Sequence, residues 1–284
     1  MFSIGNTNSR SAFFPPVSTS TDLRSALSYW SKSPLSQNSK KSIREAIDRI
    51  CRAAENDYKV LSLCGLNLSS VPPEIGQLKC LAVLDLSDNR LKTLPAELGQ
   101  LSHLTDLNLG NNQLRTLPIE FGKLTHLTKL NLENNCLETW PIAINQLKNL
   151  NLLFLGQNKL KNLPIEIGQL SKLVGLYLYG NRLQTLPTQL GQLSKLRTLG
   201  LSHNQLHSLP AEIGCLTKLT QLGLHYNQLQ TVPAQIGQLA ELEELFLNNN
   251  RLQTLPAEIT SLAKLAELAV HSNQLQSLPV KLHS

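Results

Sequence analysis

A 23-residue pattern repeats without a gap from residue 58 to the end of the chain. Residues 81–103 read LAVLDLSDNRLKTLPAELGQLSH and follow the template LxxLxLxxNxLxxLPxxIGxLxx. The ten units begin at Tyr58, Leu81, Leu104, Leu127, Leu150, Leu173, Leu196, Leu219, Leu242 and Leu265, and the last is three residues short. Because apolar positions and an Asn stay in phase over 227 residues, each unit is expected to be one structural element stacked on the next.

The repeated positions predict the same local structure for every unit. Leu at positions 4 and 6 faces inward from a short strand expected around positions 3 to 7, and Asn at position 9 is expected to hydrogen-bond the backbone of a neighbouring turn. Pro at position 15 is expected in the first turn of a short helix, which Gly at position 19 closes with a positive φ. A 23-residue period with this spacing is typical of leucine-rich repeats. The predicted fold class is α/β: a solenoid, or horseshoe, with a parallel concave β-sheet and short helical or 3-10 convex segments.

The residues before the repeats divide into a tail and a cap. Ser, Thr, Asn and Pro dominate the first 20 residues, which predicts a disordered tail, with an export signal for a non-Sec secretion machine as the alternative. Apolar residues at helical spacing follow, which predicts an α-helical cap over the open end of the array. The predicted division is therefore a tail at 1–20, a cap at 21–57 and ten repeats at 58–284.

The cap is expected to contain two short helices. The first is predicted to begin at Thr21 or Asp22 and to run through Trp30, before a break at Ser33-Pro34. The second is predicted over about residues 41–54, where the apolar residues form one stripe.

The last repeat has no comparable helix after it. The apolar residues Val270, Leu275, Leu278 and Leu282 are therefore predicted to be poorly covered. Either this end pairs with another chain, which would make self-association possible, or the natural architecture once continued.

Charge, cysteines and hydropathy exclude several classes of function. The net charge is +6, but Lys and Arg are spread through the repeats, so nucleic-acid binding is not predicted. Five cysteines, an odd number without C-x-x-C spacing, favour a reducing compartment. No 18-residue apolar run is present, so no membrane span is predicted, and the first residues lack the features of a Sec signal peptide.

A functional site is expected at the outward-facing positions that vary between units. Positions 3, 5, 7 and 8 of the first units are polar and mildly acidic, through Asp85, Asp88, Asp106 and Glu133. Gly200 and Gly223 are expected to form a low floor among rings in the later units. The predicted partner-binding residues are Phe154, Tyr177, Tyr179, His203, His225, Tyr226, Phe246 and His271. Clustered exposed rings are typical anchors of protein interfaces, so we expect a protein partner there.

Other interpretations of the same face are weaker. The rings could simply tile a β-surface, or could line a small-molecule pocket. His203 and His225 on neighbouring strands could share a metal ion, but no third ligand is evident. The sequence contains no Gly-rich phosphate loop, no G-x-S-x-G and no H-E-x-x-H, so it predicts no catalytic residue, metal or cofactor.

Two resemblances to known families follow from local motifs. The LPAELGQL and LPIEIGQL segments resemble the 23-residue class of intracellular leucine-rich repeats found in Ras-group and Scribble-like scaffolds and in many bacterial proteins. Tyr29-Trp30, the Arg, Ala, Ile and Cys residues at 44–51, and LNLSSVPPEI at 66–75 resemble the helical N-terminal region of type III secreted effectors of the IpaH, SspH and YopM kind. That family has shorter repeats, and its ligase members carry a catalytic Cys-x-Asp that this chain lacks.

The effector resemblance implies a non-enzymatic adaptor that acts in the cytoplasm or is delivered by a non-Sec route into a host cytosol. In that role the chain would bind a host protein on its concave face. One alternative is the substrate-recognition part of a ubiquitin-ligase effector whose catalytic domain is absent or supplied in trans. Another is an ordinary intracellular scaffold in signalling, with no export.

Overall fold

Ten parallel strands form one sheet, in the same order as in the chain, within the residues that the computed structural model describes, 20–30 and 37–279. The strands are β1 Val60–Ser62, β2 Val83–Asp85, β3 Asp106–Asn108, β4 Lys129–Asn131, β5 Leu152–Phe154, β6 Gly175–Tyr177, β7 Thr198–Gly200, β8 Gln221–Gly223, β9 Glu244–Phe246 and β10 Glu267–Ala269. Neighbouring strands pair residues one period apart, for example Leu61 with Leu84. Residues at one template position therefore form a column across the sheet.

A five-residue 3-10 helix follows each of the first nine strands and lies on the convex side. These helices are Pro73–Gln77, Ala96–Gln100, Ile119–Lys123, Ile142–Gln146, Ile165–Gln169, Thr188–Gln192, Ala211–Cys215, Ala234–Gln238 and Ala257–Ser261. All nine begin immediately after the Pro at template position 15, whose fixed φ prepares the turn. The predicted solenoid with a parallel concave sheet and 3-10 convex segments is confirmed.

Each strand contains three residues, whereas the sequence predicted a strand over positions 3 to 7. The backbone N–H of Leu63, just after β1, still donates to the carbonyl of Asp85 at 2.8 Å. The chain then turns, because position 8 has a positive φ, 56° at Asp88. The later residues at position 8 with positive φ are Asn111, Asn134, Gln157, Gly180, His203, Tyr226, Asn249 and Ser272.

Asn at position 9 joins neighbouring repeats through its buried side chain. The Nδ2 atom of Asn158 donates to the carbonyls of Leu132, Leu155 and Gly156 at 2.9 to 3.1 Å. Its Oδ1 atom accepts the N–H of Leu137 at 3.0 Å. A polar residue is tolerated in this apolar array because these contacts satisfy the whole amide group.

The prediction of a positive φ for Gly at position 19 was wrong. Gly76 and Gly99 have no positive φ, but a Cβ atom at Gly76 would lie 2.3 Å from the carbonyl oxygen of Glu97 in the next repeat. Glycine is needed there because adjacent convex segments approach closely. Where Asn145 replaces this glycine, its Oδ1 atom accepts a hydrogen bond from Trp140 Nε1 at 2.8 Å.

Two α-helices precede the sheet, α1 at Ser20–Leu27 and α2 at Gln37–Glu55. Compared with the prediction, α1 begins slightly earlier and ends before Trp30, and α2 is longer at its N-terminus. The inner faces of both helices join the apolar core of the array, with Leu27, Ile50 and Cys51 fully buried. The predicted break at Ser33-Pro34 and residues 1–19 of the predicted tail lie outside the described residues.

Aromatic residues after α1 attach this part of the chain to the start of the first repeat. Trp30 Nε1 donates to Ser70 Oγ at 3.1 Å, and the Tyr29 hydroxyl donates to the Glu74 carboxylate at 3.2 Å. Burial, followed by the charge of Glu74, raises the pKa of Tyr29 to about 12, so the phenol remains protonated as the donor.

The last described repeat is more open than the others. Val270, Leu275 and Leu278 are half-buried, whereas the matching residues of the inner repeats are buried. The fourth residue predicted to be poorly covered, Leu282, lies outside the described residues.

Candidate functional site

The concave face carries two groups of rings at strands β5 to β9. Phe154 and Tyr177, at position 5 of neighbouring strands, stack with ring centroids 4.6 Å apart and planes 2° apart. We call them the N-terminal ring pair. Lys129 Nζ lies 5.9 Å from the Phe154 centroid, within the range of a cation–π contact. Lys129 was missed by sequence reasoning, although its position on a strand beside Phe154 was a usable signal.

The second group, which we call the C-terminal ring cluster, comprises His203, His225, Tyr226 and Phe246. His203 stacks on Tyr226 at 4.3 Å between ring centroids. His225 makes edge contacts with His203 at 5.6 Å, with Tyr226 at 5.8 Å and with Phe246 at 6.1 Å. The structure thus brings six of the eight predicted site residues into two groups.

Gly200 and Gly223 separate the two groups, and we call this space the glycine gap. The register of the sheet pairs Tyr177 with Gly200, Gly200 with Gly223 and Gly223 with Phe246. At a strand spacing of about 4.8 Å, the Cα atoms of Tyr177 and Phe246 are roughly 14 Å apart. The low floor predicted from the sequence therefore lies between a ring pair and a ring cluster.

Tyr179 points away from the glycine gap. A Cβ atom at Gly156 would lie 2.6 Å from the Tyr179 ring, so the absence of a side chain there lets the ring cross the preceding repeat. Its hydroxyl donates to the carboxylate of Glu133, two repeats away. Burial and this hydrogen bond raise the pKa of Tyr179. Tyr179 therefore links the ring region to the acidic part of the face and does not line the gap.

His203 and Tyr226 occupy the left-handed backbone region, with φ of 53° and 55°. Other repeats mostly use Asn, Asp, Gly or Ser at this position, which tolerate that conformation better than a bulky side chain. In the early repeats the column forms a polar ladder, in which Asn134 donates to Asn111 and Asn111 donates to Asp88. The stacked His203 and Tyr226 rings replace this ladder at an unfavourable φ.

His225 and His271, both in the predicted site, differ in environment. Burial, followed by the nearby charge of His203, lowers the pKa of His225, so the neutral imidazole is favoured. The Nδ1 atom of His225 is buried and has no hydrogen-bond partner among the described residues. His271 is exposed and makes no ring contact with another described residue. Nowhere in 20–30 and 37–279 are three His, Cys, Asp or Glu side chains placed to hold a metal ion.

The polar half of the concave face contains a shallow cavity of about 220 Å³ over strands β2 to β4. Asp85, Asp106 and Lys129 line it, together with Asn108 and Asn131. The two asparagine side chains are partly used within the fold, since Asn108 Oδ1 accepts the N–H of Gly110 and Asn131 Oδ1 accepts the N–H of Glu133.

Comparison with known families agrees with this architecture. The family described as leucine-rich repeat region matches residues 56–134 and 184–283, and the family described as leucine rich repeat matches residues 148–206. The first match covers more than half of the chain. The chain therefore belongs to the leucine-rich repeat family, whose members are generally non-catalytic scaffolds that bind proteins.

Solved structures give the same fold. A leucine-rich repeat protein of Leptospira interrogans is 42% identical with a TM-score of 0.74, and the match covers 76% of this chain and 55% of that one. The ectodomain of the Arabidopsis thaliana membrane receptor kinase GASSHO1/SCHENGEN3, solved in complex with CASPARIAN STRIP INTEGRITY FACTOR 2, is 35% identical with a TM-score of 0.67, over 72% of this chain and 26% of that one. InlJ of Listeria monocytogenes, 20% identical with a TM-score of 0.62 over 78% and 52% of the two chains, supports the fold alone.

This chain spans about half of the first of these structures and about a quarter of the second. The comparison with curated proteins gives no significant match. Neither α-helix of the described part of the chain combines the length and hydrophobicity that crossing a membrane requires.

Proposed function

We propose that this chain is a non-catalytic binding module that holds a protein partner on the ring-bearing half of its concave face. The observation that carries the proposal is the arrangement of the N-terminal ring pair and the C-terminal ring cluster. These rings face outward from the sheet, and the fold has no need of them because Leu at positions 4 and 6 already fills the core. Rings at the centre of a protein interface commonly supply most of its binding energy.

One related structure supports the binding of a partner by this fold. The Arabidopsis receptor ectodomain was solved in complex with CASPARIAN STRIP INTEGRITY FACTOR 2. A concave sheet built from columns of identical template positions offers side chains from successive repeats to one partner. The ring half spans five strands, from β5 to β9, or about 19 Å between the outer Cα atoms, which suits a helix or loop better than a small metabolite.

An affinity-capture experiment tests the proposal. The intact protein and a variant carrying Tyr177→Ala, Tyr226→Ala and Phe246→Ala are used as bait, and captured proteins are quantified by mass spectrometry. We expect the partner to be lost from the variant by about 30-fold or more, the effect of removing interface anchors, while the circular dichroism spectrum stays unchanged.

The matched control replaces three exposed apolar residues on the convex side, Ile119, Ile142 and Ile165, by Ala. These residues are 60% to 70% exposed, so this control removes exposed apolar surface without touching the concave face. Equal capture by the triple-ring variant and the unaltered protein would contradict the proposal.

The origin of the captured partner separates two forms of this function. We propose an effector-like adaptor, because two of the three motifs on which the effector resemblance rests contact each other: Tyr29-Trp30 bonds to Glu74 and Ser70 within residues 66–75. Capture is therefore made in parallel from a eukaryotic and a bacterial lysate. A ring-dependent partner in the eukaryotic lysate alone supports delivery into a host cytosol, and one in the bacterial lysate alone supports an ordinary scaffold.

Self-association through the last repeat stays a further proposal. The observation in its favour is the half-buried state of Val270, Leu275 and Leu278 beside β10, the last strand of the described sheet. The measured mass of the bait in light scattering decides it: a dimer that dissociates on Leu275→Glu supports the proposal, and a monomer overturns it.

A further inference from the structure

Gly200 and Gly223 are glycines that the fold itself does not require. Neither has a positive φ. A Cβ atom at Gly200 would make an ordinary contact of 3.6 Å with Tyr177, and one at Gly223 would meet no side-chain atom within 4 Å. By contrast, Gly156 leaves room for the Tyr179 ring, and Gly76 for a neighbouring carbonyl.

Glycine within a strand weakens that strand, and it often marks a place where a ligand or another backbone approaches closely. The glycine gap is enclosed in a manner that suits such an approach. Tyr177, supported from behind by Phe154, stands on one side, and Phe246 with His225 stands on the other. The inner half-thicknesses of the two flanking rings together amount to about 3.5 Å, so about 11 Å of the Cα separation of roughly 14 Å remains, enough for one bulky side chain and part of its backbone.

The rim of the glycine gap next to Phe246 is acidic. Glu244 lies two residues before Phe246 on β9, and the register of the sheet pairs it with Glu267 on β10. Gln221 Nε2 donates to Glu244 at 3.1 Å, but neither carboxylate forms an ion pair with any residue in the described part of the chain. Two like charges side by side on neighbouring strands are unfavourable unless a cation lies between them.

We propose that the glycine gap receives an aromatic or long aliphatic side chain of the partner, and that a Lys or Arg close to it in the partner's sequence binds Glu244 and Glu267. The proposal rests on the proposed function and adds the chemistry of the ligand: a peptide segment in which a bulky apolar residue lies near a basic one. The apolar residue covers the glycine floor between the rings, and the basic residue relieves the repulsion between the paired carboxylates.

Selection from a phage-displayed library of random 12-residue peptides tests this chemistry directly. The intact protein is expected to enrich peptides that contain Phe, Tyr, Trp, Leu or Met within about three residues of Lys or Arg, the span that fits between the gap and its acidic rim. The selected peptide is then synthesised with a fluorescent label, and its Kd is measured by fluorescence anisotropy.

Filling the gap tests the apolar contact. Gly223→Leu is expected to weaken binding of the selected peptide about tenfold or more, as when an interface anchor is excluded. Its melting temperature should not fall, because the strand has room for the side chain. The control is Ser62→Leu, which places the same side chain at the same template position on β1, and which should leave binding unchanged.

Charge reversal at the rim tests the basic contact. A protein with Glu244→Lys and Glu267→Lys should lose the selected peptide and prefer a version in which its Lys or Arg is replaced by Glu. The inference is overturned if the charge-reversed variant binds the two versions of the peptide equally, or if Gly223→Leu still binds the selected peptide tightly. If the triple-ring variant fails to bind in the same experiments, the proposed function stands. Failure of the intact protein to enrich any peptide over an unrelated protein also overturns the inference, whereas the proposed function is overturned only by equal capture of the partner by the triple-ring variant and the unaltered protein.

Discussion

Residues at template position 8 show where the fold and the proposed function conflict. The left-handed backbone costs an ordinary residue about 1 to 2 kcal/mol, and less for Asn or Asp. Tyr226 adopts this left-handed conformation at a φ of 55°. Because 49% of its surface is exposed, burial of the side chain offsets little of the conformational cost. Its stack with His203 offsets only a part, since an aromatic pair contributes about 0.5–1.5 kcal/mol. Strain of this kind is characteristic of functional surfaces.

Replacing Tyr226 by Asn, the residue that several other repeats have at position 8, should separate stability from binding. We expect the free energy of unfolding to rise by about 0.5 kcal/mol, because relief of the strained φ slightly exceeds the lost stacking. Capture of the partner should fall at the same time. Urea denaturation and the affinity-capture assay measure the two effects.

Gln157→Asn provides the matched control for this substitution. Gln157 also has a positive φ, 53°, but it lies outside the C-terminal ring cluster. It should gain stability and keep normal capture. A lower stability for Tyr226→Asn would show that the ring stack outweighs the strain, and the conflict between fold and function at this position would not exist.

Between elements, Asn at position 9 makes the connection that the three-residue strands are too short to provide. Each side chain bridges two repeats by accepting one backbone N–H and donating to backbone carbonyls, as Asn158 and Asn273 illustrate. Asn158 is buried, whereas Asn273 is half-buried in the last described repeat. Loss of the Asn158 amide therefore leaves backbone groups buried without a hydrogen-bond partner, whereas loss of the Asn273 amide leaves backbone groups that water can reach.

This difference predicts unequal costs for the same substitution. Asn158→Ala should lower the free energy of unfolding by about 2–4 kcal/mol, because several buried backbone groups lose their partners. Asn273→Ala should cost less than about 1 kcal/mol, because solvent replaces the lost bonds. Equal shifts in the urea midpoint for the two variants would mean that Asn at position 9 stabilises the array through chain conformation and not by satisfying buried backbone groups.

How far the elements could be predicted from the sequence depends on the range of the interaction. The 23-residue period was sufficient to predict that Leu84 faces inward and that Asn89 hydrogen-bonds the backbone. It also placed Phe154 and Tyr177 on neighbouring strands. All three features follow from a local geometry that repeats in every unit. The direction taken by Tyr179 could not be predicted, because it depends on space left by Gly156 in another repeat. The role of glycine at position 19, as in Gly76, was also missed, since it arises from the distance between repeats and not from a turn.

At the scale of the whole molecule, each repeat contacts mainly its two neighbours, so stability is expected to vary along the array. The first repeat is covered by α1 and α2, where Ile50 is fully buried and Arg49 Nη1 donates to the carbonyl of Ser62 on β1 at 2.9 Å. The ring-bearing strands begin at β5, four strand spacings or about 19 Å from β1. Damage to α1 or α2 should therefore remain far from the proposed interface.

Ile50→Ala tests this separation. Truncation of a fully buried Ile costs about 2–5 kcal/mol when the site does not collapse, and we expect that loss to appear as faster hydrogen exchange in β1 to β3. Exchange in β5 to β9 and capture of the partner should stay unchanged. Leu153→Ala, which makes a cavity of similar size directly beneath the N-terminal ring pair, should instead raise exchange in β4 to β6 and weaken capture. If Ile50→Ala raised exchange equally in all ten strands, the array would unfold as one cooperative unit, and the stability of the interface would depend on α1 and α2 after all.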